Sequence, residues 1–216
     1  ADGGGLAAVQ ARVTELLAAP DGGHAQTGLQ LLVSLVHEFG APTAGGALSW
    51  AEQTRARVRF QDDWLLAVFQ AGLGQLQRLQ QLAASAAPPP PAPPPLPPPL
   101  RAPLAQCATL LTTALSWDFD GVGAAPQASA DGTAITLQQS SRAGLNASSV
   151  RPPPEATAWA DVLGRPALLA CVLQLHAAAR CGGGGNGGGG GAHDDASLRH
   201  ALRQLLVQLA SVARRL

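Results

Sequence analysis

The spacing of the leucine residues constrains this chain more than any other feature, because leucines recur every three or four residues along most of its length. Segment 26–39 shows the pattern most clearly, and its apolar residues would cover one broad face of a helix: Leu29, Leu32, Val33, Leu35, Val36 and Phe39. Leucine and alanine favour helices, whereas strands favour β-branched and aromatic residues. Ile135 is the one isoleucine among 216 residues, and aromatic residues make up 4% of the chain. The sequence therefore predicts an all-α fold.

The same period places further helices along the chain, and several of their ends carry recognisable signals. Helices are predicted over residues 6–19, 26–39, 47–60, 62–84, 104–117, 157–163, 166–180 and from Asp194 or Asp195 onward. Ser49 is expected to cap the third helix. Asp62 and Asp63 are expected to begin the fourth, because acidic side chains are favourable beside the positive end of the helix dipole. Gly72 and Gly74 weaken that helix by about 1 kcal/mol each relative to alanine.

Apolar stripes on these helices predict which faces are buried. The first helix carries its stripe on Leu6, Val9, Val13, Leu16 and Leu17. The helix over 166–180 is expected to place one group on a common side: Leu168, Leu169, Val172, Leu173 and His176. Residues 47–50 and 114–117 both have the sequence Ala-Leu-Ser-Trp, and without the proline-rich insert their interval approaches the roughly 40–47 residues of a HEAT or armadillo unit. These features favour a HEAT-like α-α superhelix over a closed bundle.

Low-complexity segments divide the chain into helical and non-helical parts. Helical repeats are predicted over 1–84, a further repeat helix over 104–119, and a helical repeat over 157–216. Between them lie a proline-rich insert at 85–103, whose proline tract is expected to form extended polyproline II, and a flexible insert at 120–156. The glycine-rich insert at 182–191 is interpreted as a linker rather than a phosphate-binding loop, because it lacks the lysine and the preceding strand. The proline tract could alternatively dock on SH3 or WW domains, although codon-repeat expansion is the favoured interpretation.

The reactive side chains form no pattern that predicts a catalytic, cofactor or metal site. Cys107, Cys171 and Cys181 are an odd and scattered set, which favours free thiols in a reducing compartment over disulfides. The histidines also lack metal-site spacing: His24, His37, His176, His193 and His200. His193 and His200 would share a helix face only if the last helix began early. Ser116, Asp118 and His176 contain the residue types of a triad but no nucleophile-elbow motif supports one. The sequence therefore predicts that the protein is not an enzyme.

Charge and hydropathy argue against direct contact with nucleic acid or membrane. The formal net charge is zero, and Arg55, Arg57 and Arg59 would spread around a helix as a solvated face rather than as a phosphate track. No apolar run approaches the roughly 18 residues of a membrane span, so we expect no membrane insertion. The four tryptophans could anchor a partner, but we favour a structural role at helix junctions: Trp50, Trp64, Trp117 and Trp159.

Three stretches of this chain resemble the export receptors of the importin-β superfamily, and they follow one another in the same order as in those receptors. The first is the helix 31–39 followed by Leu48-Ser49-Trp50, and the second begins at Phe60-Gln61-Asp62-Asp63 and ends with Leu115-Ser116-Trp117-Asp118-Phe119. The third runs from Pro154 through Trp159 and Leu163 to the helix with His176, and then from Leu205 to Ser211. The resemblance covers most of 29–216 apart from the three inserts. Members of this family are much longer, so it implies an internal fragment.

The resemblance implies a function in nuclear export. It implies HEAT-repeat architecture, binding to Ran in its GTP form, contacts with nuclear pore proteins and shuttling between nucleus and cytoplasm. It also implies a protein cargo such as translation initiation factor 5A. It places no partner contact on any individual residue. Two alternatives stay open: a HEAT- or armadillo-type interaction scaffold unrelated to transport, and a small helical enzyme, which would require a polar cleft with perturbed acids or bases.

Overall fold

The computed structural model describes residues 3–19, 22–40, 49–85, 96–117, 156–181 and 191–213. Its helices are α1 (Gly3–Ala18), α2 (Gly22–Gly40), α3 (Trp50–Phe60), α4 (Leu66–Ser85), α5 (Pro98–Leu115), α6 (Ala156–Leu163), α7 (Pro166–Cys181) and α8 (Gly191–Ala213). A π-helical turn at Gln61–Leu65 joins α3 to α4 without a break. Within the described residues every regular element is helical, which confirms the predicted all-α fold.

The helices pack as three neighbouring pairs: α1 with α2, α4 with α5, and α7 with α8. Helices α4 and α5 are antiparallel, because Gln61 contacts Trp117 at one end of the pair while Gly72 lies against Leu110 further along. The pairs are stacked so that α5 lies between α2 and α8 and also contacts α4. This position explains why α5 has a broad buried face, which comprises Leu104, Cys107, Ala108, Leu110, Leu111, Ala114 and Leu115.

The first helices of the three pairs form a second row in the order α1, α4, α7. On one side of α4, the Gln75 amide donates a hydrogen bond to the backbone carbonyl of Leu17 in α1, at 2.8 Å. On the other side, the Gln80 amide donates to Gln174 Oε1 in α7, at 2.6 Å. The Leu17 carbonyl belongs to the last turn of α1, where backbone acceptors have no partner within the helix. Side-chain amides of α4 therefore link all three pairs.

The prediction of extended polyproline II over the proline tract is wrong for its last part. Helix α5 begins at Pro98, six residues before the predicted start at Leu104, and Pro103 lies inside the helix. Proline is tolerated in the first turn, where the missing N–H would have no helical partner. Pro103 removes one internal hydrogen bond, and the complete burial of Leu104 and the near-complete burial of Leu96 offset that cost. Residues 88–95 of the tract lie outside the described residues.

The prediction that Asp62 and Asp63 begin a new helix is also wrong. Both acids lie inside the π-helical turn, and Asp63 forms an exposed ion pair with Arg59 at 3.6 Å. The turn adds one residue to the helical register, so that Phe60 and Leu65 are both fully buried although they are five positions apart. The predicted cap at Ser49 is confirmed. Its side chain accepts from the backbone N–H of Glu52, which completes a capping box.

Two stripe predictions are only partly correct. In α1, Val13, Leu16 and Leu17 are buried as predicted, but Val9 is 38% exposed and the side chain of Leu6 lies outside the described part. In α7, Leu168 and Val172 are buried, but Leu169 and Leu173 are 48% and 49% exposed. The inward face of α7 is instead completed by smaller or later residues, namely Cys171, Leu175 and Ala179. A prediction from large apolar residues alone therefore places the buried face of α7 about one residue position away from where it lies.

The two copies of the sequence Ala-Leu-Ser-Trp do not lie at equivalent positions of a structural repeat. In the first copy, Ser49 precedes α3 as its N-cap and Trp50 is the first helical residue. In the second copy, Ser116 follows α5 as its C-cap, and Trp117 lies beyond the helix. Helix α8 begins at Gly191, slightly before the predicted start, and residues 182–190 of the glycine-rich insert lie outside the described residues, as does most of the insert at 120–156.

Candidate functional site: a groove between α4 and the α6–α7 turn

A groove of about 240 Å³ runs between α4 and the short turn that joins α6 to α7. Its floor is apolar and consists of Leu73 from α4, Val162 from α6 and Leu168 from α7, all of which are buried. The turn is formed around Gly164, whose backbone N–H donates to the carbonyl of Ala160 at 2.7 Å. The predicted end of a helix at residue 163 is thus confirmed, and the turn that follows creates one wall of the groove.

The α4 wall of the groove consists of two amide side chains with a glycine between them. Gln70, Gly74 and Gln77 are spaced four and three residues apart, so they follow one another along a single face of the helix. A Cβ atom placed on Gly74 would meet nothing within 4 Å. The side-chain amides of Gln70 and Gln77 form no hydrogen bond with another described residue. The groove therefore offers two uncommitted primary amides on either side of an open stretch of helix backbone.

Arg165 supplies the positive charge at the opposite wall. Its Nε donates to the backbone carbonyl of Asp161 at 3.0 Å, which fixes the base of the guanidinium against α6. The side chain is exposed, so its terminal nitrogens are available to an anionic group in the groove. None of the described side chains that line the groove is acidic.

An aromatic cluster at the ends of α2, α3 and α5 decides the role of Trp117. The indole is buried and its Nε1 donates to Gln61 Oε1 at 2.9 Å. Its ring lies 5.6 Å from that of Phe60, which stacks in turn on Phe39 at 4.6 Å. The guanidinium carbon of Arg57 lies 4.7 Å from the centre of the Trp117 ring, and Arg57 also donates to the backbone carbonyl of Gly40. This cluster joins the first helix pair to the second.

These contacts confirm the structural role predicted for Trp117 and correct the prediction for Arg57. Arg57 is 5% exposed rather than part of a solvated face, because its flat guanidinium covers the Trp117 ring and binds the end of α2. Trp159 is also buried, with its ring 5.3 Å from Phe69. Trp64 is half-buried beside Phe60, and the side chain of Trp50 lies outside the described part. The two remaining arginines, Arg55 and Arg59, are exposed as predicted.

The cysteines and histidines are dispersed in the described structure. Burial raises the pKa of the Cys107 thiol to about 12 and that of Cys171 to about 11, whereas Cys181 is exposed. Among the described residues, no group of three or more histidine, cysteine, aspartate and glutamate side chains could hold a metal ion. The hydroxyl of Ser116 donates to the Thr112 carbonyl at 2.8 Å, and Asp118 lies outside the described part. Within the same residues, no helix is both long enough and apolar enough to cross a membrane.

Comparison with known proteins gave no match: no protein-family model, no curated protein and no solved structure resembles the chain closely enough to assign it. The functional conclusions below therefore rest on the packing of the helices, on the chemistry of the groove and on the resemblance described from the sequence.

The groove residues were not singled out from the sequence. From the sequence, Gly74 is predicted only to weaken its helix, and Gln70, Gln77 and Arg165 belong to residue types that are common on solvated surfaces. A signal was nevertheless present. A glycine flanked by glutamines at four residues before and three residues after it places three small or polar groups in a row beside an apolar stripe. The opposite wall of the groove cannot be predicted from the sequence, because it depends on how α6 and α7 pack against α4.

Proposed function

We propose that this chain is a segment of a HEAT-like α-solenoid whose function is to bind other proteins. The observation that carries the proposal is the pattern of helix contacts. The most extensive contact is that of α5 with α8, followed by those within the pairs and by that of α2 with α5, while α4 contacts α7 less extensively. Contacts restricted to adjacent units are typical of solenoids, which present extended surfaces to their partners.

The more specific proposal is that the solenoid belongs to a nuclear export receptor. Its support is the resemblance to the importin-β superfamily, and to exportin-4 in particular. Of the residues that carry the resemblance, Leu115 and Trp117 are buried in the core and Phe60 is fully buried. They support a common architecture rather than a particular partner contact. In this proposal the intact protein binds Ran-GTP and a protein cargo such as translation initiation factor 5A, contacts nuclear pore proteins and shuttles between nucleus and cytoplasm.

The test is a binding assay on the natural gene product that contains this chain. The protein is immobilised and exposed to Ran loaded with a non-hydrolysable GTP analogue or with GDP, each with and without translation initiation factor 5A. We expect retention of the GTP form and tighter retention when cargo is present, because coupled binding sites raise each other's affinity by the same factor. Equal retention of both nucleotide forms, or none of either, would contradict the export proposal.

A second candidate is a protein-interaction scaffold with no role in transport. The same contact pattern and the same groove support it, since neither depends on Ran. The binding assay separates the two, because a scaffold unrelated to transport would retain both nucleotide forms of Ran equally or retain neither.

A further inference from the structure

We propose that the groove between α4 and the α6–α7 turn binds an extended peptide segment that carries an acidic side chain. This inference rests on the proposed protein-binding function and specifies the chemistry of one partner. Three observations carry it: the paired amides of Gln70 and Gln77, the open position at Gly74, and the guanidinium of Arg165.

The paired amides suit a peptide backbone. A primary amide both donates and accepts hydrogen bonds, and a backbone peptide unit does the same. Gln70 and Gln77 lie about two helical turns apart on one face of α4, which is about 10 Å along the helix axis. Three residues of an extended chain span roughly the same length. An extended segment along this wall could therefore exchange hydrogen bonds with both amides.

The glycine at position 74 is not explained by the packing of this chain. Glycine inside a helix destabilises the helix relative to alanine. At Gly72 and Gly28 close packing explains that cost, because a Cβ atom would lie 3.0 Å from a leucine methyl group of the neighbouring helix. At Gly74 a Cβ atom would meet no atom within 4 Å. The space kept open by Gly74 is instead the middle of the groove, where a bound backbone would pass closest to α4.

The charge and size of the groove define the occupant further. Arg165 faces a groove whose described lining contains no acidic side chain, so a carboxylate is the complementary group. The buried side chains of Leu73, Val162 and Leu168 beneath it favour apolar neighbours beside that carboxylate. A volume of about 240 Å³ is below the roughly 300–1,000 Å³ of small-molecule pockets, and the groove is bordered by exposed residues. A short stretch of peptide fits these dimensions better than an enclosed metabolite.

The test is selection from a random linear peptide library displayed on phage, with the full 216-residue chain as the target. The Gly74→Leu variant is the counter-target, because its side chain fills the groove while improving helix propensity. We expect peptides enriched on the wild-type chain over Gly74→Leu to contain aspartate or glutamate beside apolar residues. Enriched peptides are then synthesised with a fluorescein label, and their affinities are measured by fluorescence polarisation.

In that assay, Arg165→Gln is expected to weaken acidic peptides about ten- to a hundredfold and to leave their aspartate-to-asparagine versions almost unchanged. Ala84→Leu, at an exposed position of α4 outside the groove, is the matched control and should bind like the wild type. Circular dichroism confirms that all variants are equally helical. The proposal is overturned if no peptide distinguishes the wild type from Gly74→Leu, or if the enriched peptides bind Arg165→Gln unchanged. Ran is absent from this assay, so either result leaves the export proposal to its own test.

Discussion

The two glycines of α4 allow a sharp test of how closely α4 and α5 pack. Replacing either Gly72 or Gly74 by alanine removes backbone freedom from the unfolded chain, which stabilises a helix by about 1 kcal/mol. At Gly74 nothing opposes this gain, because the new methyl group enters open space. At Gly72 the methyl group would lie 3.0 Å from Leu110 Cδ2 and 3.3 Å from Leu111 Cδ2.

The expected magnitudes follow from these distances. Overfilling a packed core costs about 1–3 kcal/mol, so the net effect of Gly72→Ala is between no change and a loss of about 2 kcal/mol. Gly74→Ala is expected to raise the free energy of unfolding by about 1 kcal/mol, which corresponds to about 2–4 °C in Tm for a chain of this size. The two variants should therefore differ by about 1–3 kcal/mol although they make the same chemical change two residues apart.

The assay is urea unfolding followed by circular dichroism, with thermal unfolding as a second measure. Equal dependence on urea concentration in both variants would show that the unfolded state is comparable. If the two variants were equally stable, or if Gly72→Ala were the more stable one, the close contact between α4 and α5 would be refuted. Gly74→Ala also narrows the groove, so a more stable protein that binds peptide less well is the combined expectation.

Four further predictions concern other parts of the chain. Ser49→Ala should lower Tm by about 2–4 °C through loss of the helix cap. The hydrogen bonds from Ser49 lower the pKa of Glu52. The stabilising effect of the Glu52 carboxylate should therefore be present above its ordinary pKa of 4.5 and disappear as the pH falls through the lowered pKa. A Glu52→Gln variant should lose this pH dependence of Tm in thermal melts. Cys181 should react quickly with Ellman's reagent in the native protein, whereas Cys107 should react only on unfolding, and equal rates would contradict its burial. Trypsin should not cleave early after Arg101, although Arg101 lies in the proline-rich region. The reason is that Arg101 is part of α5 and its Nε donates to the Leu96 carbonyl at 3.2 Å. Early cleavage after Arg101, detected by mass spectrometry, would contradict the observed helix start.

The helices could be predicted from the sequence because leucine spacing is a local signal that tertiary packing reinforces. The stripe over 26–39 matches the buried Leu29, Leu32 and Val36 of α2, and the cap at Ser49 was also visible locally. The wrong predictions arose where one sequence pattern is compatible with two local structures. An acidic pair is favourable at a helix start, yet Asp62 and Asp63 lie on the exposed side of a continuous helix, where Asp63 pairs with Arg59. A proline tract is typical of polyproline II, yet Pro98 and Pro99 are tolerated in the first turn of α5, and burial of Leu104 stabilises the helix despite Pro103.

The groove could not be predicted because it is made by two segments that are far apart in sequence. Gln77 and Arg165 face each other only because α7 packs beside α4. The burial of Arg57 has the same origin, since the Trp117 ring that it covers comes from the end of α5. Local pattern identifies which residues can be buried or exposed, but long-range contacts decide which polar residues are brought together.

The extra residue in the π-helical turn determines which deletions the continuous helix from α3 to α4 can tolerate. One residue corresponds to a rotation of about 100° around the helix axis. Phe60 before the turn is held by Phe39 and Trp117, and Phe69 after it is held by Trp159. Both ends are therefore fixed in orientation, and deletion of one residue within Gln61–Leu65 would convert the turn to regular α-helix and keep that orientation. A second deletion would instead turn Leu73 out of the core together with the row from Gln70 to Gln77. This stretch can therefore lose the one extra residue of the turn without rotating α4 against α3, whereas a second deletion would rotate one half of the helix against the other.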